Sequence, residues 1–295
     1  MTLLNPMTSR CRSEKSMKNF QSNASELLPR LSYEFRILKL IGLLFGIQKA
    51  AIFAVASLTI VRTGKNRSAY RLLGACTTNA FGTRIELPHP EPRFIEEIVL
   101  RHCYTPTPDF QVKEGMVVLD VGANVGIFTI YAASRNRTGR IVAIEPDPES
   151  FSFLRDNIRA NGFANIQLLN AAIGANTGKG TLVEDNPGSV TVSTNVQGRK
   201  SATIRIETIS SLVKALGLQK VDLLKVDAEG AEFEIIEDTS WAAVVSRVVM
   251  EVHHPRGDYR MLVRKLSNVG YRIRTSRAYD NDSVMVYGLS TFRRP

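Results

Sequence analysis

Chemistry in this 295-residue chain is concentrated at the ends of short apolar runs. "VVLD" ends in Asp120, "IVAIE" in Glu145, "IQLLN" in Asn170 and "LLKVD" in Asp227, while "VVMEVHH" carries Glu251, His253 and His254. Each run has the length and branched aliphatic content of a buried strand. Where such strands lie parallel in an open sheet, ligands collect just outside their carboxyl ends. Acids and an amide repeated at those ends describe a cleft suited to hydroxyls, amines and cations.

The first run leads directly into a glycine-bearing turn and an apolar helix, "VGANVGIFT". A dinucleotide fingerprint spaces three glycines as GxGxxG and rests a diphosphate on the helix N-terminus. Gly122, Asn124 and Gly126 leave that pattern one glycine short, and Asp120 would set negative charge beside the diphosphate. S-adenosylmethionine fits better, because it carries a sulfonium and an α-ammonium group and no phosphate. Glu145, 25 residues after Asp120, stands where an acid accepts both hydroxyls of a ribose. Gly122 and Gly126, with Ala123 between them, would let the backbone approach the ligand closely. The competing enzyme class is a nicotinamide-dependent oxidoreductase.

Methyl transfer from a sulfonium is an in-line displacement with the leaving group already activated, so alignment supplies much of the acceleration. A hydroxyl acceptor must also lose a proton. Asp227 is the first candidate for that work, because the "KVDAEG" turn brings its carboxylate to the sulfonium side of the cleft. His253 is the best acceptor by intrinsic pKa, and Glu229 lies just beyond Asp227. Asp227, His253 and Glu229 are the expected catalytic set. Glu229 and Glu232 equally suit the N-terminal dipole of the helix that follows. Lys225 shares a strand face with Asp227 and would pair with it or steer the acceptor. No metal is expected; the one arrangement that would offer a site is a hard divalent cation shared by Asp227 and Glu251.

The elements that must position these groups alternate. "EPRFIEEIVLRHC" reads as an amphipathic helix with Phe94, Ile95, Ile98 and Val99 on one side, and "YTPTPDFQVKEG" breaks it. Strand and helix then follow in turn. Asp147 caps the helix after the second strand, with Pro148 at its first position and Gly162 beyond its end. Residues 178–207 alternate apolar and polar between Gly and Asn turns, a hairpin-rich excursion. "YRIRT" and "SVMVYG" are the closing strands. Such alternation predicts an α/β fold with a mostly parallel sheet covered on both faces.

Charge is uneven. Residues 1–85 carry 13 Lys+Arg against 3 Asp+Glu, and residues 86–295 carry 25 of each, so the net +10 belongs to the N-terminal part. A neutral body without interleaved aromatic and basic residues argues against a nucleic-acid groove; a small-molecule or glycan acceptor is the expected partner. Residues 1–30 read as a disordered basic tail, 31–90 as an apolar and basic helical extension, and 91–295 as the catalytic domain. Within the extension, residues 37–61 would cover about 36 Å as one helix. Gln48 and Lys49 sit mid-run, and a central lysine costs roughly 2.5–3.5 kcal/mol in a bilayer. Three readings stay open: helices packed on the domain or a partner, an element lying on a membrane surface, and a true span. Cys11, Cys76 and Cys103 form no CxxC pair, which fits a reducing compartment. A cytoplasmic protein is expected, membrane-associated where residues 37–61 meet lipid.

"LDVGANVGIFT", "AIEPDPESF", "NAAIG", "LLKVDAEGAE" and "EVHH" occur in the order of the FkbM-type methyltransferases, which this chain resembles over residues 91–290. The resemblance implies a Rossmann-like class I S-adenosylmethionine-dependent methyltransferase. Its sheet would have seven strands, mostly parallel, with the last antiparallel; the N-terminal helical extension is added to it. The resemblance implies cofactor contacts at Asp120, Gly122, Ala123, Asn124, Gly126, Glu145, Asn170, Ala171 and Ala172. It further implies methylation of a hydroxyl on a sugar, glycolipid or glycosylated small molecule. One departure is "TISSL", Thr208 to Leu212, where such proteins often carry an acid; Ser210 or Ser211 can still cap that helix. A catalytically silent scaffold held at a membrane is the rival of a different class, and the acids at successive strand ends speak against it.

Overall fold

The computed structural model describes residues 76–88, 98, 102–186, 189–193, 201–253, 257–278 and 283–292. The tail at 1–30, the apolar run at 37–61, most of the helix expected at 91–103, and His254 lie outside the described residues. Among the described residues no helix is long and apolar enough to cross a membrane.

The chain makes β1 (Cys76–Ala80), β2 (Thr83–Leu87), β3 (Val117–Val121), α1 (Ile127–Arg135), β4 (Arg140–Ile144), α2 (Pro148–Ala160) and β5 (Ile166–Leu169). β6 (Ala172–Ile173), β7 (Gly178–Asn186), β8 (Ser189–Ser193) and β9 (Ser201–Glu207) follow, then α3 (Ile209–Ala215), β10 (Leu223–Val226) and α4 (Glu232–Ile235). β11 (Arg247–His253), α5 (Tyr259–Asn268), β12 (Tyr271–Arg277) and β13 (Ser283–Ser290) close the chain.

Seven strands form one sheet in the order β12-β13-β11-β10-β3-β4-β5. The five from β11 to β5 pair in parallel, and β13 runs antiparallel to both of its neighbours. This is the Rossmann-like α/β sheet with an antiparallel last strand. Strand order switches between β3 and β10, so the cleft opens at their carboxyl ends. β10 is buried at every position, and β3 and β4 at all but their first. That is why these segments read as unbroken apolar runs. Leu119, Val142, Leu224 and Val248 share one core with Leu212 of α3 and Leu262 and Leu266 of α5. The excursion folds as its own four-stranded sheet, β6-β9-β7-β8.

Local chemistry explains the helix starts. Asp147 accepts the Ser150 N–H at 2.8 Å and Pro148 follows it, as expected for the α2 cap. At α3 the cap is Thr208, not either serine: Thr208 Oγ1 accepts the Ser211 N–H and Ser211 Oγ accepts the Thr208 N–H, both at 3.0 Å. Ser211 is thus the third-position partner of a capping box.

Residues 76–87 correct the expectation of a helical extension as far as residue 90. They form an antiparallel hairpin whose turn residues, Phe81 and Gly82, have φ of 56° and 71°, the backbone of a tight two-residue hairpin turn. β2 alternates, with Ile85 and Leu87 inward. Amides on α2 hold it in place of a further strand. Asn157 accepts from the Glu86 N–H at 2.6 Å and donates to its carbonyl at 2.8 Å. Asn161 does the same for Arg84, at 2.9 and 2.6 Å.

Candidate active site

Asp120, at the end of β3, is wholly buried. In the β3–β10 ladder it stands directly opposite Lys225, itself buried, and two such neighbours point to the same face of the sheet. Asp120 Oδ1 lies 3.1 Å from Lys225 Nζ, and Oδ2 accepts the Thr129 hydroxyl at 2.6 Å. Lys225 also donates to the Gly122 carbonyl at 2.6 Å and the Val121 carbonyl at 3.3 Å. Burial alone would lower the lysine's pKa, but the charges of Asp120 and then Asp227 hold it above the usual value. The expectation for Asp120 therefore needs correcting: its charge is already matched, so it does not by itself repel a diphosphate. Lys225 pairs first with Asp120 and stands farther from Asp227, at 3.8 Å.

The turn after β3 is shaped by the protein's own packing. Gly122 has φ of 71°, and a Cβ there would fall on the Asp227 carbonyl. Gly126 has φ of 93°, and its Cβ would lie 2.6 Å from Leu154 Cδ1. Close approach thus explains both glycines, but the approaching groups are β10's loop and α2. The Gly122 and Ala123 N–H groups both donate to the Ile144 carbonyl at 3.0 Å. Asn124 sits in the left-handed region, φ 51°, which asparagine tolerates better than most residues. Asn157 Nδ2 donates to the Val125 carbonyl at 2.9 Å, tying the turn to α2 and the hairpin.

Glu145 lies against this turn. Its Oε2 accepts the Asn124 N–H at 2.7 Å and its Oε1 the Asp147 N–H at 2.9 Å. Burial pushes its pKa up to about 7, against those two hydrogen bonds. An ionised carboxylate has about four acceptor sites, so these two bonds leave two of them open. Asn170 serves the same loop from behind: its amide donates to the Glu145 and Pro146 carbonyls at 2.8 and 3.1 Å. Ala171 is packed in the main core, and Ala172 against Leu182 and Ile204.

On the other side of the switch, the Asp227 side chain is 26% exposed. Its Oδ2 and Glu251 Oε2 both receive the Tyr104 hydroxyl, at 2.9 and 3.1 Å. Glu251 Oε1 accepts from Ser283 Oγ at 2.8 Å. Burial, and then the charge of Asp227, push Glu251 up to about 7.

His253 is held differently from the expectation of a base. Its Nδ1 is 3.2 Å from Oε1 of the wholly buried Glu232, and its Nε2 is 3.8 Å from Glu229 Oε2. Burial would lower its pKa, but the bond to Glu232 and the charges of Glu232, Asp227 and Glu229 raise it to about 10. A ring protonated on both nitrogens has no lone pair with which to take a proton. Glu232 also accepts the Ala228 and Gly230 N–H groups at 2.9 and 3.2 Å, leaving Asp227 out of that role. Glu229, 50% exposed, sits at φ 50° in the turn. Among the described residues, Asp227, Glu229 and His253 bring donor atoms within 4.8 Å of one another, close enough for one cation. Between Asp227 and Glu251, the pair considered for a divalent cation, the bridge is the Tyr104 hydroxyl.

The family model described as the Methyltransferase FkbM domain matches residues 120–273, more than half of the chain. The chain belongs to the FkbM methyltransferase family. It is an S-adenosylmethionine-dependent methyltransferase. Relatives include methyltransferase sdnD of Sordaria araneosa, 25% identical, covering 64% of this chain and 85% of that one. The hexuronic acid methyltransferase AglP of Haloferax volcanii is 27% identical over 48% of this chain and 58% of its own length. The 31-O-demethyl-FK506 methyltransferase FkbM of Streptomyces tacrolimicus is 25% identical over 62% and 83%.

Three groups in or behind the methyltransferase's strand-end turns escaped the sequence. Tyr104 lies in a proline-rich stretch with no periodicity to mark it. Glu232 was visible only as a charge suited to a helix dipole. Asn157 did leave a signal: a polar residue between Leu154 and Ile158 on the inner face of α2.

Replacing Glu145 with glutamine should weaken S-adenosylhomocysteine binding by about 10- to 100-fold, the value of hydrogen bonds to a charged group. Wild-type affinity should fall as pH drops through about 7, where the carboxylate gains its proton. The variant should show a flat profile. Calorimetric titration on both sides of neutrality decides, and a pH-independent wild type would remove Glu145 from the ribose site.

Proposed function

We propose that this methyltransferase methylates a hydroxyl oxygen on a sugar or a glycosylated small molecule, with Asp227 receiving the proton. The observation that supports this most directly is the strand-end arrangement: Asp227 is a partly exposed carboxylate beside the switch point, while His253 Nδ1 is engaged by the buried Glu232 at 3.2 Å. Two relatives, a hexuronic acid methyltransferase and a 31-O-demethyl-FK506 methyltransferase, support the acceptor class.

When bound, S-adenosylmethionine supplies the methyl group on a sulfonium leaving group. Glu145 would accept the ribose hydroxyls, and the turn from Gly122 through Ala123 and Asn124 to Gly126 would bear the rest of the ligand. Asp120 acts through Lys225, which fixes the Gly122 carbonyl, and Asn170 keeps the Glu145 loop in register. Asp227 would hold the acceptor hydroxyl in line and take its proton as the new bond forms. Glu229, on the rim of the same turn, would contact the acceptor and orient the His253 ring.

Incubating the whole chain with methyl-labelled S-adenosylmethionine and a fractionated cell extract tests the reading. Label should enter a carbohydrate-containing fraction as an ether, stable to mild base. A base-labile methyl ester or a methylated amine as the sole product would overturn it.

A further inference from the structure

The Tyr104 hydroxyl has one proton and faces two carboxylates, Asp227 Oδ2 at 2.9 Å and Glu251 Oε2 at 3.1 Å. Its position is fixed from several sides. The ring meets Phe128 edge-on at 5.4 Å and has the Lys225 ammonium 5.2 Å from its centroid. The neighbouring Cys103 carbonyl accepts the Tyr287 hydroxyl at 2.8 Å, which pins the loop to β13. Asp227 and Glu251, both half-buried, stand at the two ends of this row.

We infer that Tyr104 and Glu251 form a proton relay behind Asp227, in which Tyr104 carries to Glu251 the proton that Asp227 takes from the acceptor. The inference rests on Asp227 being the base. Tyr104 and Glu251 act through it as positioning residues.

The step balances. As the acceptor oxygen bonds to the methyl carbon, the carbon–sulfur bond breaks and its electron pair stays on sulfur. The acceptor O–H bond breaks with its proton passing to Asp227. That proton moves on to the phenolic oxygen while the phenolic proton moves to Glu251 Oε2. Asp227 is again a carboxylate, Tyr104 again a neutral phenol, and Glu251 a carboxylic acid that later loses its proton to water.

The surroundings suit Glu251 to store a proton. From β10 it faces the Asp227 carboxylate, with the Lys225 ammonium closer to Asp120 than to Asp227. From its own strand it faces the His253 imidazolium, and from β13 the Ser283 hydroxyl and the Tyr287 phenol, whose pKa Glu251 helps to raise. Burial and Asp227 thus oppose a lasting negative charge, and Ser283, His253 and Tyr104 keep ionisation within reach near neutral pH.

Tyr104→Phe and Glu251→Gln in the whole chain test the relay; both are close to isosteric, so the fold is retained. Infrared titration of the ligand-free protein should show carboxyl signals titrating near neutrality from Glu145 and from Glu251, and Glu251→Gln should remove only the signal of Glu251. In Tyr104→Phe its titration should move to higher pH, because the ionised form loses a hydrogen bond. With labelled cofactor and the acceptor-bearing extract fraction, each variant should lower kcat by roughly 10- to 100-fold. Binding of S-adenosylhomocysteine should stay within about twofold. The acid limb of the wild-type kcat profile should vanish in Glu251→Gln. Infrared titrations unchanged from wild type, or wild-type kcat profiles in both variants, would overturn the relay. Undiminished kcat in Asp227→Asn would instead overturn the base assignment, whatever the infrared titration shows.

Discussion

Replacing Lys225 by methionine should destabilise the methyltransferase by about 3–5 kcal/mol, the usual cost of leaving a buried charge without its partner. The lysine is buried on β10 and is, among the described residues, the cation paired with Asp120, whose carboxylate has no solvent to turn to. Its loss also removes the donor to the Gly122 carbonyl. Thermal unfolding should fall by about 2–4 °C per kcal/mol for a domain of this size. Asp120→Asn together with Lys225→Met should recover much of the loss, since neither charge then remains and the asparagine carbonyl can still receive Thr129. A single variant that unfolds within about 1 kcal/mol of wild type would show that the pair contributes little.

Asp227→Asn should lower kcat by about 100- to 10,000-fold, the span typical of removing a positioned acid or base. Affinity for S-adenosylhomocysteine should change far less, because Glu145 and the glycine turn lie on the other side of the switch. The substitution keeps the side chain's shape and an acceptor for Tyr104, so a loss of activity reports lost basicity. Kinetics on the acceptor-bearing fraction and calorimetry on the same preparation separate the two effects. Equal losses in turnover and affinity would make Asp227 a binding residue.

Strand ends were legible because burial on both faces of a parallel sheet leaves near-continuous apolar runs, and the first polar residue after each run falls within one residue of the strand's end. Asp120, Glu145, Asn170 and Asp227 were all placed at such ends by that pattern alone. Their duties were not. Asp120 was expected to offer charge to a ligand and is matched by Lys225. Asn170 was expected beside the cofactor, yet its amide fastens the loop that carries Glu145. His253 has the intrinsic pKa of a base, and the buried Glu232 makes it a cation. The hairpin at residues 76–87 was missed because two five-residue strands leave too short an alternation, and their partner amides lie 71 to 77 residues away.

The sequence by itself determined the alternating strands and helices, the cap at Asp147, and the row of polar groups at the strand ends. Those features depend on neighbours a few residues apart, through helix and strand periods and capping bonds. Only the tertiary structure decided which partner each member of that row meets. Lys225 meets Asp120 across 105 positions and Tyr104 meets Glu251 across 147, and whether a buried group ionises depends on what such distant residues bring to it.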